Sequence, residues 1–486
     1  MDWLAGPDYS LARWLLERLL ALGYLVAFCS TALQFRALLG EHGLVPVPRS
    51  LQLASFRRAP SLFHLYYSDR VATVAAWCGV GLAGSLLIGL PQRGPLWACM
   101  LVWFVLWALY VSFVNVGSPF YGFVWETLLL EAGFLAIFLG NARIAPPLLT
   151  IFLFRWLLVR LEVGAGLIKV RSDPAWRDLT ALEYHHETQP IPGPFSWHIH
   201  HLPRNFHKLE VVGNHVAQLL VPVLLFAPQP VAAIAGCVII ATQLWLLLSG
   251  NFAWLNVLTI ALAVSALPNS LLSAILPISP RALHGAPLWF DALLIALTAT
   301  IAVLSYWPVR NMASRDQIMN ASFNPLHLVS SYGLFGHITR ERYEVVIEGT
   351  DEPELGPETR WQEYEFRAKP GNPRRRPAQV APYHLRLDWL MWFAALSPAY
   401  AGTWFVPLLA KLLDNDGATT RLLRTNPFPQ RPPTFVRALL YRYRYTTRAE
   451  RRRTGAWWNR ELLGVYAGPV TRQLPETSAP GTTLAA

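Results

Sequence analysis

The stretch VVGNHVAQLLVPVLLFAPQPVAAIAGCVIIATQLWLLLSGNFAWLNVLTIALAVSALPNSLLSAILPISP (211–280) contains no Asp, Glu, Lys or Arg in 70 consecutive residues. A helix crosses the hydrocarbon layer in about 20 apolar residues, so this run is long enough for about three passes. A soluble core has no need of so long an uncharged run. Further uncharged runs at 19–35, 71–92 and 94–125 extend the pattern towards the N-terminus. Whole-chain composition agrees, with 53% hydrophobic residues, 15% charged residues and a mean hydropathy of +0.31. The expectation is an α-helical multi-pass membrane domain of about eight or nine helices over 1–308. The helices are placed at 15–35, 71–91, 95–117, 122–140, 144–168, 213–227, 231–249, 251–275 and 288–308. Pro228 and Pro230 interrupt the pattern between the sixth and seventh. Two polar connections, 36–70 and 169–212, are expected at the interface.

After Pro308 the character changes. YEVVIE (343–348) and WQEYEF (361–366) alternate as half-buried strands do. Residues 384–392 suit a further strand or a helix start, and 437–445 a partly apolar helix. A small β-rich soluble domain is therefore expected over 309–470, with a disordered tail over 471–486. The net charge of +11 is concentrated here: residues 421–460 hold 11 arginines and one acid, Glu450. A basic segment beside a membrane domain suits anionic lipid headgroups, and nucleic acid is not expected as a partner. Tyr441, Tyr443 and Tyr445 alternate with Arg442 and Arg444, but nothing else points to a nucleic-acid interface. The four cysteines, Cys29, Cys78, Cys99 and Cys237, all sit in apolar runs and suggest no disulfide framework.

Arg155, Glu162 and Lys169 are spaced by seven, which places them on one helical face. Charges in a membrane helix face protein or water rather than lipid, and Glu126 and Glu131 are natural partners for Arg155 or Arg160. The segment KVRSDPAWRDLTALEYHHETQPIPGP (169–194) follows, and seven of the 13 histidines fall between 185 and 215. No HExxH, CxxC, P-loop, dinucleotide fingerprint or nucleophile elbow accompanies them. No metal site and no cofactor are therefore expected, and the histidines are read as polar interfacial residues. Should the segment carry chemistry, the residues to test are Glu126, Glu131, Lys169, Asp178, His185, His186 and Glu187. Trp176 and Arg177, with Trp361, Tyr364, Phe366, Trp389 and Trp392, are the candidate binding residues. Core packing is the commoner fate of aromatics at strand spacing.

Several long blocks occur in an order that resembles one family. They are YGFVWETLLLEAGFLAIFL (121–139), RWLLVRLEVGAGLIKVRSDPAWRDLTALEYHHETQPIPGPFSWHIHHLP (155–203), NHVAQLLVP (214–222) and LLLSGNFAWLNVLTI (246–260). MNASFNPLHLVSSYGLFGHITRERYEVVIEGT (319–350), APYHLRLDWLMWFAAL (381–396) and FPQRPPTFVRALLYRYRY (428–445) continue it. Together they resemble the lipase maturation factor family over nearly the whole chain. The resemblance implies a membrane-embedded maturation factor for secreted client proteins such as lipases, with membrane lipids as its other partner. It implies the endoplasmic reticulum membrane for a eukaryotic chain. The arginine-rich composition, with only four lysines, suits a bacterial member in the cytoplasmic membrane. A weaker likeness links GAGLIKVRSDPAW (164–176) to the membrane domain of vitamin K-dependent carboxylases. The alternative it raises is a membrane enzyme acting at the interface.

Overall fold

The computed structural model describes residues 4–278 and 283–472. Its N-terminal part is helical: α1 (Ser10–Leu39), α2 (Asp69–Leu87), α3 (Leu96–Val116), α4 (Val124–Ala136), α5 (Leu148–Arg171), α6 (Ala181–Thr188), α7 (Arg204–His215), α8 (Val231–Ser249), α9 (Leu255–Val264) and α10 (Leu288–Leu304). Among the described residues six helical stretches are long and apolar enough to cross a membrane. These are Pro7–Leu39, Asp69–Leu87, Leu96–Val116, Arg204–Phe226, Val231–Ser249 and Leu288–Ala313. The expected helices correspond to these and to α4, α5 and α9. Of those three, α4 and α9 are short, at 13 and 10 residues, and α5 carries the charges.

Local chemistry sets the breaks. Ser68 caps α2 by accepting from the Val71 N–H. The sixth expected helix begins earlier than its apolar run, at Arg204, and passes through a π turn at Val216–Leu220 into a 3₁₀ turn at Val221–Phe226. Pro222 in that turn has no N–H for a regular helical bond. The expected helix 251–275 is two pieces, α9 and Asn269–Ile275. At the break the carbonyl of Ser265 accepts from Arg155 Nε and Nη2 at 3.2 and 2.9 Å, and Leu225 O accepts from Arg155 Nη1 at 3.1 Å. One buried guanidinium thus satisfies carbonyls that two helix ends leave free.

The C-terminal part holds a four-stranded antiparallel sheet in the order β2-β1-β3-β4, made of β1 (Arg342–Thr350), β2 (Gln362–Glu363), β3 (Phe435–Tyr445) and β4 (Trp458–Thr471). Two further helices, α11 (Arg386–Leu396) and α12 (Phe405–Leu413), pack with it. The strand expected at 343–348 is β1, whereas 361–366 holds only the two-residue strand β2 and an isolated bridge from Glu365 to Thr425. Residues 437–445 are strand rather than helix. Tyr443 and Tyr445 point inward and Arg442 and Arg444 outward, the period of two that a pleated strand needs. Of the expected tail, Thr471 pairs with Phe435 in β4 and Arg472 follows it; the remainder lies outside the described residues.

The two parts share one hydrophobic core, which runs from Leu16 and Phe28 of α1 through Trp125 and Leu158 to Trp389, Val345 and Ala438. The 169–212 connection packs under the sheet: Trp197 joins a buried cluster with Tyr443, Tyr445, Trp457 and Trp458. Its indole N–H donates to Thr446 O at 2.9 Å.

Candidate functional site

A cavity of about 510 Å³ lies where α5, α6, α7, α8 and α9 converge. Leu161, Ala165, Leu246, Phe252, Leu255 and Phe335 supply apolar wall. Leu209, Val238 and Trp245 also line it and are exposed, which places its mouth between α7 and α8.

Its polar floor comes from α5 and the amides that face it. Glu162 Oε1 accepts from Gln243 Nε2 at 2.9 Å, and Gln243 Oε1 accepts from Asn256 Nδ2 at 2.8 Å. Lys169 Nζ donates to Asn214 Oδ1 and Gln218 Oε1, both at 2.9 Å, and stands 4.8 Å from the Trp176 ring centroid. Neutral amides thus meet both ionisable groups in a buried setting where a bare charge is costly. Apolar walls over a small set of convergent polar groups suit an amphipathic molecule.

Of the residues singled out in the sequence, Lys169, Trp176, His185 and His186 line this cavity. Trp176 is fixed by its indole N–H, which donates to Phe335 O at 2.9 Å. His185 stacks on Phe252 and meets Phe335 edge-on. Burial, then the charges of His186 and Lys169, push its pKa down to about 3, so it is neutral at ordinary pH. Glu187 points away to the sheet and accepts from the Tyr445 N–H, with burial holding its pKa above the usual carboxylate value. Asp178 and Arg177 are exposed, and Arg177 Nη1 donates to Val170 O at 2.9 Å.

The two α4 carboxylates are elsewhere. Glu131 pairs with Arg160 as expected, and also accepts from Tyr332 Oη at 2.8 Å and Ser330 N at 3.1 Å. Glu126 meets neither expected arginine. Its partner is Arg386 of α11, at 2.7 Å, with Tyr110 donating to its second oxygen. The expected pairing of a carboxylate with Arg155 does not occur, because Arg155 is committed to backbone carbonyls. The C-terminal aromatics are placed mainly in the interior. Tyr364, Phe366 and Trp389 are buried in the core. Trp392 is half-buried and donates to Thr188 O, and Trp361 lies under the Arg437 guanidinium.

Residues that sequence reasoning passed over include Glu210, Asn214, Gln218, Gln243 and Asn256. A signal was present. Gln218, Gln243 and Asn256 stand in the 70-residue run that lacks charge, and amides at membrane depth need partners. Glu210, one residue before that run, accepts from His207 Nδ1 at 2.9 Å and, through its other oxygen, from Trp245 Nε1 at 2.8 Å. It also lies 3.4 Å from His186 Nε2.

With this geometry in view, two family models match the chain: the lipase maturation factor transmembrane domain over residues 11–274 and the lipase maturation factor C-terminal domain over 328–468. Lipase maturation factor 1 of Bos taurus is 38% identical over 97% of this chain and 91% of its own length. The Homo sapiens protein of the same name is 37% identical over 95% of this chain and 88% of its own length. Lipase maturation factor 2 of Gallus gallus is 31% identical over 91% of this chain and 79% of its own length. No solved structure matches. Two family models in the order of the two structural parts, and relatives that span nearly the whole chain, lead to one conclusion: this membrane protein belongs to the lipase maturation factor family.

Proposed function

We propose that the chain matures secreted client proteins, lipases among them, with the membrane domain as the frame and the C-terminal sheet as the surface that meets the client. Family membership supports the role, and one structural observation supports the place. Strand β4 is 14 residues long and pairs on one side with β3; among the described residues no strand pairs with its other side. Leu462, Leu463, Val465 and Val470 are exposed along it. An open edge of this kind is a template for an extended segment of another chain, with main-chain hydrogen bonds giving affinity.

The client folds on the non-cytoplasmic side in this reading, in the endoplasmic reticulum or outside a bacterial cytoplasmic membrane. Asn320 of the Asn320–Ala321–Ser322 sequon is exposed just after the last long apolar helix. Expression with microsomes therefore gives an endoglycosidase-sensitive mass shift that Asn320→Gln abolishes. Cleavage of the domain by a protease added outside sealed microsomes would place it on the cytoplasmic side and remove the proposal. The role itself is tested by deleting the gene and assaying secreted hydrolases for specific activity and amount. A Val465→Pro chain, which lacks one edge N–H, is compared with the deletion. Reduced specific activity of a client lipase in both, with normal Val465→Pro abundance, is the expected result. Unchanged specific activity of every secreted hydrolase in the deletion strain would end the maturation reading.

A further inference from the structure

Three side chains that bind transition metals meet at one end of the cavity. His207 and Glu210 are three residues apart on α7, so they leave the helix on one face. His186 reaches them from α6, which packs against α7. Glu210 Oε2 is 2.9 Å from His207 Nδ1 and 3.4 Å from His186 Nε2, and the three ligand atoms all lie within 4.8 Å of one another. Nitrogen and oxygen ligands about 2.0–2.1 Å from a tetrahedral ion stand roughly 3.3–3.4 Å apart. The set therefore closes around a cation by side-chain adjustment alone.

Two further observations point to a ligand. The second oxygen of Glu210 is held by the Trp245 indole N–H at 2.8 Å, which fixes the carboxylate as outer-shell partners of metal ligands do. Both imidazoles are 2% exposed, and their outer nitrogens, His186 Nδ1 and His207 Nε2, reach no hydrogen-bond partner among the described residues. Among the described residues the one hydrogen-bond partner that these two rings find is a single carboxylate oxygen, which both must share. A cation at that point gives both rings and the oxygen a common partner.

We propose that His186 Nε2, His207 Nδ1 and Glu210 Oε2 bind one divalent cation of the zinc class. Two imidazoles and a carboxylate suit zinc better than magnesium or calcium, which prefer all-oxygen shells. Three protein ligands leave a coordination position free. Since His186 and Glu210 also line the cavity, that position is available to water or to an oxygen donor on a molecule in the cavity. The cation also ties α6 to α7, and so fixes that side of the cavity whatever the client.

The experiment uses tag-free full-length protein in detergent, stripped with a chelator and titrated with Co²⁺ and Zn²⁺. The expected result is one equivalent of Zn²⁺ by elemental analysis and the visible d–d bands of four- or five-coordinate Co²⁺. Glu210→Gln and His207→Ala weaken binding by at least about 10–100-fold, while His201→Ala, outside the set, binds as the parent does. Because the variants test folding as well as ligation, X-ray absorption of the zinc-loaded parent gives an independent reading. Its expected first shell is nitrogen and oxygen with imidazole scattering. A parent chain that takes up no Co²⁺ overturns the proposal. So does an all-oxygen or sulfur-containing shell, or folded Glu210→Gln and His207→Ala chains that bind like the parent.

Discussion

Arg386 shows how much one side chain can carry between the two parts of this protein. Its guanidinium donates to Phe120 O at 2.8 Å and Glu126 Oε1 at 2.7 Å and lies 3.5 Å from the Tyr121 ring centroid, all in full burial. Removing one member of a buried pair leaves the other charge without compensation, at about 3–5 kcal/mol, whereas removing both is far milder. Arg386→Met should therefore lower the unfolding temperature in detergent sharply, and Arg386→Met with Glu126→Gln should recover most of the loss. A double variant no better than Arg386→Met would show that the arginine acts through packing alone. His327 carries a pH dependence of definite sign. Its Nε2 stands 2.7 Å from Asn115 Oδ1 and its Nδ1 2.8 Å from Ser322 Oγ, which suits a neutral ring that donates once and accepts once. Burial pushes its pKa down to about 4, against about 6.5 in an unfolded chain. The unfolded chain binds more protons between those values, so the contribution is fully present above about pH 6.5 and is lost as pH falls towards 4. Thermal unfolding should show His327→Gln losing less stability than the parent between pH 7 and pH 5, with equal slopes counting against this assignment.

Helix α5 is the element on which the membrane part is organised, and its glycines explain how. A Cβ on Gly164 would lie 2.3 Å from the carbonyl oxygen of Tyr332, whereas a Cβ on Gly166 would meet side-chain atoms, Leu219 Cδ2 at 2.7 Å, Leu219 Cγ at 2.9 Å and Gln218 Cβ at 3.1 Å. Backbone cannot yield as a leucine rotamer can, so Gly164→Ala should cost about 1–3 kcal/mol by overpacking and Gly166→Ala distinctly less. Equal melting temperatures for the two would contradict the close approach of residues 330–336 to α5. The same helix marks what its sequence discloses. The placing of its charges was legible, because Arg155, Glu162 and Lys169 all turn to protein partners, as charges at membrane depth must. The partners were not legible. Arg155 chose carbonyls freed by helix ends at Leu225 and Ser265, and those ends exist only once α9 and the 3₁₀ turn have packed. The apolar runs located the helices because hydrocarbon thickness imposes a length. They could not place the breaks at 216–226 and 265–268, which depend on who receives the released carbonyls. In the sheet, the Tyr-Arg alternation of 441–445 carried a strand period, but five residues are also long enough for a helical turn. The pairing with β1 decided between them. The cavity was half visible: Lys169, Trp176, His185 and His186 lie close in sequence, while Glu210, Gln243 and Asn256 reach it only through the tertiary fold.

At the scale of the whole molecule, the membrane part and the C-terminal part share one interior. Arg342 at the start of β1 donates to the carbonyls of Glu187, Gln189 and Pro190, at 3.0, 2.6 and 3.0 Å. Asn251 accepts from the Val380 and Ala381 N–H groups at 2.7 and 2.8 Å, and Ser30 of α1 donates to His384 O at 3.0 Å. Trp125 of α4 packs edge-on to Trp389 of α11, 4.8 Å between ring centroids. Residues 309–472 expressed alone would expose Trp389, Arg386 and Arg342 together, a surface both apolar and charged that nothing in the fragment covers. An apolar face of this kind left open to water favours association, and the small net stability of a domain leaves little to set against the lost core contacts. The fragment is therefore expected to aggregate or to unfold without a cooperative transition. Residues 1–308 supplied in the same membrane should recover it as a co-purifying complex, and limited proteolysis of the intact protein should release no stable fragment beginning near 309. A monomeric 309–472 fragment with a sharp calorimetric transition would show instead that the shared interior is a docking surface. The open edge of β4 could then present a client on a domain free to move. In the fused arrangement the shared core fixes that edge relative to the membrane helices, which is the position the proposed function gives to a client strand.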